Sequence, residues 1–285
     1  MNTIIVAIPG LVYGGHKSQK FTESIKSLQK NHPNYKLIIV SSTWDSEYNS
    51  ISDLEILCNN LQIEYIIEKE KYSDVYDNLI YNILNNTTNL KNFVFDNSHN
   101  LIDKLRKRFA FYYKIFKCYE ILKNKNFDYF IRCKANRGFF LQHPYDLDKI
   151  YNYYCSNINK WNCKQNNIVL SNIEIFTCDG YIDLEDTVMI MHSECFKKLF
   201  FMYGTAEQFL TEIISIYEKN INFYFNKFFL ENEQNFFNLI KDSMDYTIQG
   251  SVIWGEFFKK KYINICSSNI RVTEYDYFKN DYLLF

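Results

Sequence analysis

The chain has 285 residues, of which 47% are hydrophobic and 23% charged. That balance describes a folded domain with its own core and excludes a disordered segment. With 32 basic and 33 acidic residues the net charge is −1, so no long-range positive field draws nucleic acid, and no nucleic-acid partner is expected. The first residues run straight into an apolar stretch at 4–8 without a basic leader. No apolar run approaches the ~20 residues that cross a bilayer, so no transmembrane segment and a cytoplasmic location are expected. Eight cysteines occur without a Cys-x-x-Cys pair, which disfavours a zinc ribbon and fits small buried hydrophobes in a reducing compartment. Aromatic residues make up 18% of the chain. That share has two readings, a compositional bias toward Tyr and Phe or an aromatic surface for carbohydrate.

In chain order, residues 4–8 read as a buried strand ended by Pro9 and Gly10. Phe21, Ile25 and Leu28 share one face of a helix. Residues 37–40 read as a second strand, Leu54, Leu57 and Leu61 as a helix, and Ile63, Tyr65 and Ile67 as a third strand. Val75, Leu79 and Ile83 predict another helix, followed by the short apolar run 93–95. The longest helix is predicted over 101–125, with Leu105, Phe109, Tyr112, Phe116, Tyr119 and Leu122 as its apolar stripe. Lys104, Arg106, Lys107 and Arg108 crowd its first half against the helix dipole, as a solvated face or as a place for an anion. Residues 127–133 read as a strand, and Leu147, Ile150, Tyr151 and Tyr154 as a helix. Strands are expected at 168–170, 173–176, 188–191 and 262–266, within a largely helical C-terminal part.

Successive strand–helix–strand units in the first half predict an α/β fold, with a mostly parallel sheet flanked by helices. Ligands of such sheets bind outside the carboxyl ends of the strands, here residues 9–16, 41–45 and 134–139. The first of these loops, from Gly10 to Ser18, nearly matches a phosphate-binding P-loop but holds one extra residue before Lys17 and Ser18. That insertion breaks the register the backbone N–H cradle requires. In the segment ending at Asn136, alternation places Arg132, Lys134 and Asn136 on one side of a strand. Two cations at a strand's carboxyl end neutralise a diphosphate; an edge strand showing charges to water is the competing reading. A third segment, 179–186, carries Asp179, Asp183, Glu185 and Asp186 in an acidic turn before a buried strand, suited to a base, a cation or a simple cap. Asp146 and Asp148 follow Pro144 as helix caps, and Glu231 and Glu233 open a helix.

The residues Arg108, Tyr113, Lys114, Lys117, Cys118 and Glu120, followed by the run from Phe127 through Asp128, Arg132 and Lys134 to Asn136, resemble a pattern in GT-A-like polysaccharide (capsule-type) glycosyltransferases. There a K-C-x-E-L-L helix precedes D-Y-V-I-R-x-R-x-D. More weakly, a strand ending in Gly10, the strand from Asp186 to Ser193, Asn232 with Glu233 at a helix start, and Trp254 with Gly255 follow the same family's order. The resemblance implies a single GT-A-like, Rossmann-like domain over 1–285, with a nucleotide-binding half at 1–140 and an acceptor-side half at 141–285. It implies a nucleotide-sugar donor held by Gly10, Arg108, Arg132, Lys134, Asn136 and Arg137. The sugar passes to a hydroxyl of a glycan or protein-linked acceptor near Trp254, with Asp186 and Glu233 as the catalytic carboxylates. The family's divalent cation, Mn or Mg, is held by an acid where this chain has Asn136, a poorer ligand for a hard ion. Arg132, Lys134 and Arg137 are the charges available in its place. The alternatives are a catalytically degenerate binding protein on the same fold and a P-loop-type phosphoryl or sulfuryl transferase.

Overall fold

The computed structural model describes residues 2–10, 16–45, 48–71, 74–86, 99–133, 147, 166–170, 173–176, 181–184, 188–228 and 263–266. The apolar runs of the first half become β1 (Asn2–Ala7), β2 (Tyr35–Trp44) and β3 (Glu64–Glu70). Between and after them lie α1 (His16–Asn31), α2 (Tyr48–Asn60), α3 (Asp74–Asn85) and α4 (His99–Leu122). β4 (Tyr129–Cys133), β5 (Asn166–Leu170), β6 (Ile173–Phe176), β7 (Tyr181–Leu184) and β8 (Val188–His192) follow. α5 (Ser193–Phe201), α6 (Ala206–Phe228) and β9 (Ile263–Cys266) complete the described elements.

Seven of these strands form one sheet in the order β3-β2-β1-β4-β8-β5-β9, and β6 and β7 pair separately. β3, β2, β1 and β4 are mutually parallel, β8 runs antiparallel to β4 and β5, and β9 is parallel to β5. The fold is therefore α/β, with a mixed, mostly parallel sheet. The alternation of side chains feeds two cores. Ile5, Ala7, Val40, Phe130 and Met191 face one way, onto α3, α4, α5 and α6. Ile4, Val6, Ile39, Ile131 and Ile190 face the other, onto α1 and α2. Burial on both faces is why these strands read as continuous apolar runs.

The first core is aromatic. Phe116 stacks on Phe209 with centroids 5.5 Å apart, and Phe196 stacks on Phe130 at 4.1 Å. Phe109, Tyr112, Tyr119, Phe200 and Tyr217 are buried with them. Each such ring contributes about 1.5–3 kcal/mol by burial, so for these residues aromatic richness serves packing. The cysteines Cys58, Cys118 and Cys133 are free and buried, and burial pushes the Cys118 thiol up to about 12.

Three expectations change. The buried face of α3 is Tyr76, Ile80 and Ile83, with Leu79 only partly covered, because the helix turns its tyrosine onto Trp44. Residues 181–184 are not part of an acidic turn but form β7, with Asp183 opposite Glu174. β4 is an interior strand between β1 and β8, so the reading of an edge strand showing charges to water fails. The predicted run at 93–95 and helical positions 150–154 lie outside the described residues.

Candidate functional site at the carboxyl edge of the sheet

The chain leaves β1 for β2 on one side, while β4 lies on its other side, a switch in strand order at whose carboxyl end ligands of such sheets bind. Two predicted site residues lie there. Gly10 follows β1 with φ of +81°, a left-handed conformation that favours glycine, and its N–H donates to the Ser42 carbonyl at 2.9 Å. Arg132 pairs in register with Ala7 across β1 and β4. It is 1% exposed, and its guanidinium carbon lies 4.7 Å from the Phe111 ring centroid on α4, a cation–π placement. Arg108 falls within α4, but its side chain lies outside the described residues. Lys134, Asn136, Arg137, Asp186, Glu233 and Trp254 also lie outside them.

On the same edge Tyr113 and Lys114, two residues of the motif that carries the resemblance, join a cluster with Trp44 and Glu70 that the sequence did not bring together. Lys114 of α4 is fully buried. Its Nζ donates to the Thr43 carbonyl at 3.0 Å and to Glu70 Oε2 at 2.9 Å, and it lies 3.6 Å from the Trp44 ring centroid. The Tyr113 hydroxyl donates to Glu70 Oε1 at 2.6 Å, and its ring stacks parallel to Trp44 at 5.6 Å. Partial burial works to raise the Glu70 carboxyl, but the hydrogen bonds from Tyr113 and Lys114 and the lysine charges outweigh it and hold Glu70 below its usual range. Burial lowers the Lys114 ammonium, with Glu70 opposing. The two directions belong to one pair: attraction governs the partly exposed carboxylate, and desolvation governs the enclosed ammonium. Ser41, Ser42 and Thr43 are buried beside it. Ser41 donates to the Ile8 carbonyl at 2.7 Å. Among the described residues, the Ser42 and Thr43 hydroxyls have no hydrogen-bond partner. Besides the motif, the signal for this cluster was a lysine set within the buried arc of a helix, beside Tyr112, Ile115 and Phe116.

The opposite edge of the sheet is built differently. Asp128, just before β4, accepts from the Thr3 N–H on its Oδ2 at 2.7 Å and returns its own N–H to the Thr3 carbonyl at 2.9 Å. Its carbonyl accepts from the Ser193 N–H at 2.8 Å. His192 caps α5, its Nδ1 accepting from the Glu194 N–H at 3.2 Å. Burial lowers the His192 imidazole, partly opposed by Glu194 and Asp128.

Among the described residues no group of three or more His, Cys, Asp or Glu is placed to hold a metal ion. The position that the resemblance assigns to a metal ligand, Asn136, lies outside them. No described helix is long and apolar enough to cross a membrane. No family model, no curated protein and no solved structure matches the chain.

Proposed function

We propose that the chain is a GT-A-like glycosyltransferase that moves a sugar from a nucleotide-sugar donor to a hydroxyl of a glycan or protein-linked acceptor. The observation that carries this reading is the placement of Gly10 after β1 and Arg132 on the neighbouring β4, at the switch in strand order where sheets of this kind take nucleotides. Arg132 belongs to the motif that carries the family resemblance. Its guanidinium supplies charge to a diphosphate, and the glycine lets the backbone approach it. Lys134 and Arg137 extend that positive charge beyond the strand end. Asp186 serves as the carboxylate that takes the acceptor proton, with Glu233 as a second. Asn136 in place of an acid favours one further reading, a relative that binds the donor without turning it over.

A thermal-shift screen with UDP, GDP, CMP and their sugars, with and without manganese, tests the proposal. A ligand that binds only the folded chain raises its Tm. A rise with a nucleotide sugar supports donor binding, and release of free nucleotide on adding acceptors then separates the enzyme from the binder. A flat response to every nucleotide contradicts both.

A further inference from the structure

Packing does not account for Lys114. An ammonium enclosed without exposure costs more to bury than a methionine of similar length, and replacing a buried ion pair by apolar groups is often neutral. What the ammonium does achieve is geometric. From α4 it grips the Thr43 carbonyl near the end of β2 and the Glu70 carboxylate at the end of β3, and it sits on the Trp44 indole that closes β2. Tyr113 holds the second oxygen of Glu70 and stacks on the same indole. Three chain segments are thereby held in one arrangement at the carboxyl edge, and the next residue, Asp45, is exposed. The Ser42 hydroxyl, which has no hydrogen-bond partner among the described residues, stands on the same face of β2 as Val40 and Trp44.

We infer that Lys114 is a positioning residue for the nucleoside half of the ligand proposed above, setting the ends of β2 and β3 against which ribose and base rest. The inference rests on that proposed function. Arg132 lies on β4, two strands from β2 across β1. Adjacent strands are ~4.8 Å apart, so the two places are ~10 Å apart, a span that a nucleoside diphosphate bridges. The phosphates fall to the Arg132 side and the nucleoside to the Lys114 side.

Calorimetric titration of the full chain with uridine and guanosine diphosphates, each run alongside inorganic pyrophosphate, tests this division. Lys114→Met removes the charge at similar length. The expected result is a Kd for the nucleoside diphosphate raised ~tenfold, with the pyrophosphate Kd within about twofold of the original. Glu70→Gln keeps the side-chain shape and gives the same pattern more weakly; it carries the test if Lys114→Met does not fold. A role confined to stability shifts Tm and leaves this ratio of affinities unmoved. Unchanged nucleotide affinity in folded variants overturns the inference, as does equal loss of nucleotide and pyrophosphate. If the unmodified chain binds pyrophosphate but neither nucleotide, the inference falls while an anion site stands. If it binds none of the three, the proposed function falls first and this inference with it.

Discussion

The two edges of the sheet bury polar groups in different ways. At the amino edge, Asp128 exchanges hydrogen bonds with Thr3 and accepts one from Ser193, and His192 caps the helix that follows β8. Donors and acceptors there close on the protein itself, as a structural join requires. At the carboxyl edge an ammonium and a guanidinium are enclosed, a carboxylate is partly covered, and two hydroxyls lack partners among the described residues. Polar groups arranged at such cost do less for stability than for a specific geometry. Asp128 and Arg132 stand four residues apart in one motif, yet the strand between them carries one to each edge. The comparison teaches that the motif divides into a part that fastens the fold at the amino edge and a part that ends at the carboxyl edge, where the ligand is proposed to bind.

Substitutions separate the two edges. The largest effect is expected from Arg132→Met, which preserves bulk but removes the guanidinium. Affinity for a nucleoside diphosphate should fall about ten- to a hundredfold, the worth of a charge-assisted hydrogen bond, as read by calorimetry. Asp128→Ala should act in reverse. It removes the carboxylate that holds the Thr3 N–H and should cost about 2 kcal/mol of unfolding free energy, measured by urea denaturation, while nucleotide affinity in the folded fraction stays unchanged. A loss of affinity from Asp128→Ala without loss of stability would break the comparison.

Acid sharpens it. The folded imidazole of His192 lies below its ordinary 6.5, so the unfolded chain takes the proton first. Its contribution is complete above pH 6.5 and is lost as pH falls toward the folded value. Glu70 is also depressed, from an ordinary 4.5, so its contribution is complete above that value and is lost only in stronger acid. The amino edge should therefore loosen first as pH falls. His192→Asn keeps an acceptor at the cap and should flatten the decline of Tm that begins near pH 6.5, leaving the more acidic decline in place. The smallest effect is expected at Gln62, which ends α2 at φ of +54°. Its N–H donates to the Asn59 carbonyl and that of Ile63 to Cys58, an arrangement usually closed by glycine. Gln62→Gly should stabilise the chain by a few tenths to about 1 kcal/mol and leave nucleotide affinity unaltered.

Period and apolar runs made the first half of the fold legible. β1 and β2 are covered on both faces, the edge strand β3 is only partly covered and keeps its alternation, and α1 presents Phe21, Ile25 and Leu28 to the core as spaced. The reversal of β8 and the β6–β7 hairpin left no such mark, because strand direction is set by long-range pairing rather than by local pattern. Of the proposed site, the positions of Gly10 and Arg132 were legible from a strand end and a charge at a strand's terminus. The Lys114–Glu70 pair joins residues 44 positions apart in sequence. Glu70, at the end of an alternating strand, carries no local mark of the lysine that α4 brings to it.

The most direct measurement is amide hydrogen exchange of the full chain with and without a saturating nucleoside diphosphate sugar. The account predicts slower exchange at Gly10, at residues 41–45 and at the carboxyl end of β4, with Asp128 and Ser193 unchanged. Protection confined to the amino edge, or no change at the carboxyl edge under conditions where Tm rises, would contradict it.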